Sequence, residues 1–330
     1  MPLRPFRLVL VLLSLLLAAK THALDVQGHR GARALAPENT LQGFALSLGL
    51  GVSTLELDIA ITRDGVPVIS HDPALNPDIT RGPDGTFLPA RGPLIRSLSL
   101  DELGRYDVGR IKPGTAYAQQ YPQQAGIDGA RMPTLAALFD LVKKSGNTSV
   151  RFAIETKVSP LAPSDTLDAD TFTRAVLAAV RTAGVEQRTS ILSFDWRTLA
   201  VVQREAPGIE TVYLSAQQSF LDNIGAGQAE ASPWTAGLRY ADHGSVPKMI
   251  KAAGGSTWSA HHRDLTADQV QQAQALGLKV LVWTVNDTPL IRRMLDMGVD
   301  GIVSDRPDLV RSEMARRGLP LPPTSPVAVD

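Results

Sequence analysis

The chain contains no cysteine in its 330 residues. No disulfide, thiolate-ligated zinc or lipid-modified cysteine can form. It has no excess of basic charge either, with 33 Lys and Arg against 33 Asp and Glu. That removes the electrostatic footprint of a nucleic-acid binder. After the N-terminal segment there is no long apolar run, so the remainder is expected to be soluble. No glycine-rich dinucleotide fingerprint follows the first predicted strand. Internal repeats and low-complexity tracts are also absent. Without disulfides the chain must draw stability from one large core, which its length permits.

The one long apolar run lies at the N-terminus. Arg4 and Arg7 precede Leu8–Ala19, which only Ser14 interrupts, and Thr21-His22-Ala23 offers a small-residue cut. The run is short for a bilayer span, so residues 1–23 are expected to be a signal peptide, with an uncleaved anchor as the alternative. Export, periplasmic or secreted, follows. The segment carries Arg4, Arg7 and Lys20 and no acid, so the mature chain has 30 basic and 33 acidic residues, a formal charge of −3.

Residues 24–330 read as one α/β domain. Strand-like runs (24–28, 53–59, 150–157, 189–193, 209–214, 257–260, 279–284, 301–304) alternate with helical patterns that mostly end at glycine. Some eight βα units in a chain of this size predict a (β/α)8 TIM barrel. Residues 66–70 form one further extended run. Two stretches break the alternation, about 73–132 after the second barrel strand region and 215–244. Both are expected as insertions on the βα side, where a barrel carries its site. The proline-bearing tail after Gly318 is expected to be a loose end.

Polar residues gather at the ends of these runs. Glu56 and Asp58 are two apart on a strand and share a face, while Leu55, Leu57 and Ile59 take the other. Two carboxylates facing a barrel interior repel each other unless a cation lies between them. One hard divalent ion, Ca2+ or Mg2+, is the natural partner. Glu155 and Lys157 repeat the spacing, so Glu155 is a third candidate ligand and Lys157 a candidate phosphate-binding group. His29 and Arg30 end the first strand, and His71 ends the run 66–70. Two histidines can give and take a proton near neutral pH. Arg30 presents a fork that fits a phosphoryl group. Glu38 is expected to orient Arg30 or His29, and Asn39 and Thr40 to cap a helix. Trp283 is expected to pack substrate or to plug the core. Trp258 reads more readily as a plug.

In this order the segments His29-Arg30-Gly31, Pro37-Glu38-Asn39-Thr40, Glu56-Leu57-Asp58, Asp64-Gly65, His71-Asp72, Glu155-x-Lys157, Trp283-Thr284-Val285-Asn286 and Asp300–Pro307 resemble the glycerophosphodiester phosphodiesterases. The resemblance covers nearly the whole mature chain. It implies a (β/α)8 barrel, a divalent cation on Glu56, Asp58 and Glu155, acid–base roles for His29 and His71, and Arg30 and Lys157 beside the phosphate. It implies hydrolysis of a small-molecule glycerophosphodiester to sn-glycerol 3-phosphate and an alcohol. Two other readings remain. A phospholipase D-like enzyme acting on lipid would need an exposed apolar lip. A non-catalytic phosphodiester-binding protein would not need the histidine pair.

Overall fold

The structure is a computed structural model that describes residues 23–329. The expected leader lies outside the described residues except for Ala23. Eight strands form the core: β1 Asp25–Gly28, β2 Thr54–Ile61, β3 Arg151–Thr156, β4 Thr189–Ser193, β5 Glu210–Ser215, β6 Thr257–His261, β7 Lys279–Trp283 and β8 Gly301–Ser304. All neighbours pair in parallel. β1 pairs with both β2 and β8, Gln27 standing level with Thr54 and Val303. The sheet therefore closes and leaves no free edge. The chain forms the expected (β/α)8 barrel. The run at 66–70 is a short strand, Pro67–Ile69, which pairs antiparallel with the end of β2 and is not one of the eight.

Strand alternation sorts the side chains. Leu55, Leu57 and Ile59 of β2 pack in the apolar layer between strands and helices. Inside the barrel, Ala153, Leu192, Val212, Leu214 and Leu281 form a small apolar plug against Phe194 and Trp283. Local signals set the helix ends. Thr40 accepts the Gly43 N–H at 3.1 Å to start Leu41–Leu50, and Gly51, with φ 86°, ends it. Asp168 and Gly184 do the same for Ala169–Ala183.

Some features depart from the sequence reading. A helix, Pro307–Arg316, follows β8 with proline in its first turn. The tail after Gly318 is not loose: Ser325 N–H donates to Leu48 O at 2.8 Å, Asn147 Nδ2 donates to Ser325 Oγ at 2.8 Å, and Val327 and Val329 pack against the core. Residues 73–132 contain two short helices, Leu100–Leu103 and the unforeseen Ala116–Gln120. They also supply Leu75, Ile95 and Leu103 to a small apolar cluster with Ala60 and Val68. Residues 215–244 hold a hairpin, Gln217–Gln218 with Leu221–Asp222, and the helix Tyr240–His243. Among the described residues no helix is long and apolar enough to cross a membrane.

Candidate active site

The predicted residues converge at the C-terminal ends of the strands. Asp58 on β2 stands level with Glu155 on β3, and Glu56 lies one strand period earlier on the same face. One carboxylate oxygen from each of Glu56, Asp58 and Glu155 lies within 4.8 Å of the others, and all three residues are buried. Like charges so close and so dry repel. Burial and the Asp58 and Glu155 charges hold the Glu56 carboxyl well above its ordinary value. Burial also pushes Glu155 up to about 7, against the pull of Lys157. Asp58 moves the other way. Burial disfavours its charge, but His71, Arg30, Lys157 and the Asn39 amide outweigh that. Asp58 Oδ1 has no hydrogen-bond partner although it is buried. A hard, oxygen-seeking divalent cation fits this donor set.

The turn after β1 brings the first histidine and the arginine in. Arg30 has φ 50°, and Gly31 has φ 88°. A Cβ on Gly31 would stand 2.8 Å from the Gly43 carbonyl carbon, so glycine is required there. The Arg30 conformation is held from both sides: its N–H donates to Glu56 Oε2 at 2.9 Å and its O accepts the Asn39 N–H at 2.9 Å. Its guanidinium reaches Glu38 Oε1 at 3.0 Å and Asp58 Oδ2 at 3.4 Å. Glu38 thus orients Arg30 and not His29, and Tyr117 donates to the other Glu38 oxygen. Lys157 Nζ is 2.8 Å from Glu155 Oε1 and 3.6 Å from Asp58 Oδ1.

His29 Nδ1 lies 2.6 Å from Asp305 Oδ1, and Nε2 lies 3.9 Å from Glu56 Oε2. Asp305 is buried, yet Arg33 and His29 hold its carboxyl far below the usual range. It is therefore an acceptor, and Nδ1 carries the proton. Arg33 Nη2, 3.3 Å from that same nitrogen, donates instead to Asp305 Oδ2 at 3.1 Å, while Arg33 Nε donates to Oδ1 at 2.9 Å. Asn286 Nδ2 donates to Oδ2 at 2.7 Å. Burial lowers the His29 pKa to about 4 despite Asp305, so the free ring is neutral at neutral pH. The second histidine, His71, has Nδ1 3.0 Å from Asp72 Oδ1. Burial and the Arg30 and Lys157 cations lower its pKa as well.

The cleft above these groups has a volume of about 600 Å³ and is lined by His29, Arg30, Glu56, His71, Glu155, Lys157 and Trp283. Trp283 borders it, packed edge-on to Phe194 at 5.3 Å. Trp258 is buried, with Nε1 donating to Ser215 Oγ at 2.8 Å, and is core. The capping role expected for Asn39 is corrected. Thr40 alone caps the helix, and Asn39, with φ 54°, donates from Nδ2 to Asp58 Oδ2 at 3.0 Å. Asp305, Arg33 and Tyr117 received no site role from the sequence. Asp305 directly follows β8, the same strand-end signal that marked His29.

Residues 29–309 match the model of the glycerophosphoryl diester phosphodiesterase family. A glycerophosphodiester phosphodiesterase from Caldanaerobacter subterraneus subsp. tengcongensis is 27% identical over 294 residues, 89% of this chain and 98% of its own. A presumed glycerophosphoryl diester phosphodiesterase from Silicibacter pomeroyi DSS-3 has a crystal structure that superposes with a TM-score of 0.81. It is 36% identical, with coverage of 91% of this chain and 95% of its own. The solved structure of an Oleispira antarctica phosphodiesterase in complex with its product, sn-glycerol-3-phosphate, superposes with a TM-score of 0.63 at 25% identity, covering 89% and 97%. A closed barrel, a buried carboxylate trio flanked by two histidines, and a family match across the barrel agree: the chain belongs to the glycerophosphoryl diester phosphodiesterase family.

Proposed function

We propose that the chain hydrolyses glycerophosphodiesters to sn-glycerol 3-phosphate and an alcohol, using one divalent cation, Ca2+ or Mg2+, held by Glu56, Asp58 and Glu155. The observation that carries this reading is the meeting of three buried carboxylates within 4.8 Å. When bound, such an ion neutralises the trio and stabilises charge on the phosphoryl oxygens. Arg30 and Lys157 are the phosphate-binding pair. They lie against Asp58 and Glu155, and Glu38 keeps the Arg30 fork aimed.

His29 and His71 divide the proton transfers. His29 has the buried Asp305 behind it, which stabilises an imidazolium, so His29 is built to accept a proton from the attacking oxygen at Nε2. His71 donates to the leaving alcohol. Burial, with Arg30 and Lys157, keeps its ring neutral, and the substrate's anionic phosphate offsets those two cations and so favours a proton on His71. Export is part of the proposal. Cleavage after Ala23 leaves a chain whose first strand begins at Asp25, and the intact mass of the exported protein checks it.

The reading is tested by chelation. Treatment with a strong chelator abolishes release of sn-glycerol 3-phosphate from glycerophosphocholine, and added Ca2+ or Mg2+ restores it. Full activity in the chelator would sink the metal assignment. In heavy-oxygen water, label enters the phosphate product. An unlabelled product would rule against hydrolysis.

A pH dependence follows from Glu56 and Glu155. Both carboxyls are raised in the folded, metal-free protein. The unfolded chain ionises first as pH climbs from the ordinary value near 4.5 to about 7. The metal-free protein therefore loses stability across that window. A cation must displace the same protons, so its affinity rises with pH there by up to about tenfold per unit for each proton displaced. Melting curves with and without the ion should diverge more at pH 8 than at pH 5, and equal divergence would contradict the linkage.

A further inference from the structure

One short segment of residues 73–132 reaches back over the turn after β1 and touches the residues behind both Arg30 and His29. Thr115 accepts the Ala118 N–H at 3.1 Å and starts the helix Ala116–Gln120. Tyr117 and Tyr121 stand four apart, so they share a helix face, and their rings meet edge-on at 4.9 Å. Tyr117 donates its hydroxyl to Glu38 Oε2, while Glu38 Oε1 accepts from Arg30 Nη1 at 3.0 Å. Tyr121 lays its ring against Arg33, whose Cζ is 4.7 Å from the ring centroid. Two further bonds tie the segment to the same turn: Gln124 Nε2 donates to Arg33 O at 2.7 Å, and the Ala125 N–H donates to Leu35 O at 2.9 Å. Glu38, Arg30, Arg33 and Tyr121 are all buried. The Tyr121 hydroxyl finds no hydrogen-bond partner among the described residues, so its contribution lies in the ring.

Each of these supports is incomplete without the segment. Burial pushes the Glu38 carboxyl above its ordinary value, against the pull of Arg30 and Arg33. A donor on its second oxygen therefore helps to keep it charged and turned to Arg30. The other carboxylate beside Arg30, Asp58, is shared with Lys157 and Asn39. Arg33 Nη2 lies 3.3 Å from His29 Nδ1, so a guanidinium free to shift would compete with His29 for Asp305. An aromatic face against a desolvated cation holds it in place. We propose that Tyr117 and Tyr121 are positioning residues for the phosphodiesterase reaction: Tyr117 fixes Arg30 through Glu38, and Tyr121 fixes His29 through Arg33 and Asp305. The inference rests on the hydrolytic reading above and adds that the segment 115–125, not the barrel strands alone, completes the site.

The test is steady-state hydrolysis of glycerophosphocholine by the metal-loaded enzyme. Tyr117→Phe keeps the ring and loses the donor. Arg30 grips the phosphate in substrate and transition state alike, so KM is expected to rise about tenfold with kcat nearly unchanged, the low end of the worth of a hydrogen bond to a charged group. Tyr121→Leu uncovers Arg33, and kcat is expected to fall about tenfold with KM nearly unchanged. Tyr121→Phe, which puts the ring back, is expected to recover most of that loss. In a Glu38→Gln background, Tyr117→Phe is expected to cost less than about twofold more, since the charge that links it to Arg30 is gone. A segment with only a structural role would move kcat and KM together in both tyrosine variants. That result would overturn the inference and leave the hydrolytic reading standing. So would full additivity of Glu38→Gln and Tyr117→Phe, or a loss in Tyr121→Phe as large as in Tyr121→Leu. If the wild type hydrolyses no glycerophosphodiester, both readings fall.

Discussion

Glu56→Gln lowers kcat/KM by roughly 10²- to 10³-fold, the cost of removing one preorganised charge from such a site, and raises the melting temperature of the metal-free protein. The two effects share one cause. Glu56 is buried beside Asp58 and Glu155, and its carboxyl is held well above its ordinary value by burial and by those two charges. Glutamine is nearly isosteric and still offers an oxygen to the Arg30 N–H, so the turn after β1 survives. Relief of about 1 kcal/mol of repulsion moves the melting point by roughly 2 °C in a chain of this size. The increment that a divalent cation adds to wild-type stability disappears at the same time. A variant that melts lower without metal, yet is still stabilised by the ion, would show that Glu56 is not a ligand.

Asp305→Asn is expected to damage both the chemistry and the fold. Asp305 accepts from His29 Nδ1, from two nitrogens of Arg33 and from Asn286. Asparagine fills the same space without the charge. His29 then loses the partner that fixes its proton on Nδ1 and stabilises its charged form, so kcat falls about 10²- to 10⁴-fold with little change in KM. Arg33 is left as an uncompensated charge in a buried place, which costs about 3–5 kcal/mol. Because the native Asp305 carboxyl is held far below its usual value, its contribution to stability is present above the ordinary carboxylate pKa and is lost as pH falls below it. The variant should therefore show a shallower acid-unfolding curve. An unchanged kcat would remove Asp305 from the proton relay, and an unchanged melting point would show that Arg33 finds another partner.

What could be read from the sequence follows from the geometry of each element. Glu56, Asp58, Glu155 and Lys157 were readable because a strand repeats every two residues, and apolar neighbours on the alternate positions fix which face is which. The parallel pairing of β2 with β3 then sets Asp58 level with Glu155. Asp305 had a strand-end position but no visible partner. It lies 276 residues from His29, and only the pairing of β1 with β8 brings the two together. Asn39 was misread because cap chemistry and a contact to Asp58 use the same side chain, and only the left-handed turn at Asn39 chooses between them. Tyr117 was hidden in a proline-rich stretch with no periodic pattern, where a single helical turn and a half brings it to Glu38.

The central claim is that the three carboxylates hold one divalent ion. Calorimetric titration of the chelator-treated protein with Ca2+ or Mg2+ near neutral pH tests it most directly. The account predicts one ion per chain, bound with release of protons, and no binding heat in Glu56→Gln or Glu155→Gln. Absence of binding in the wild type, or the same stoichiometry in both variants, would contradict it.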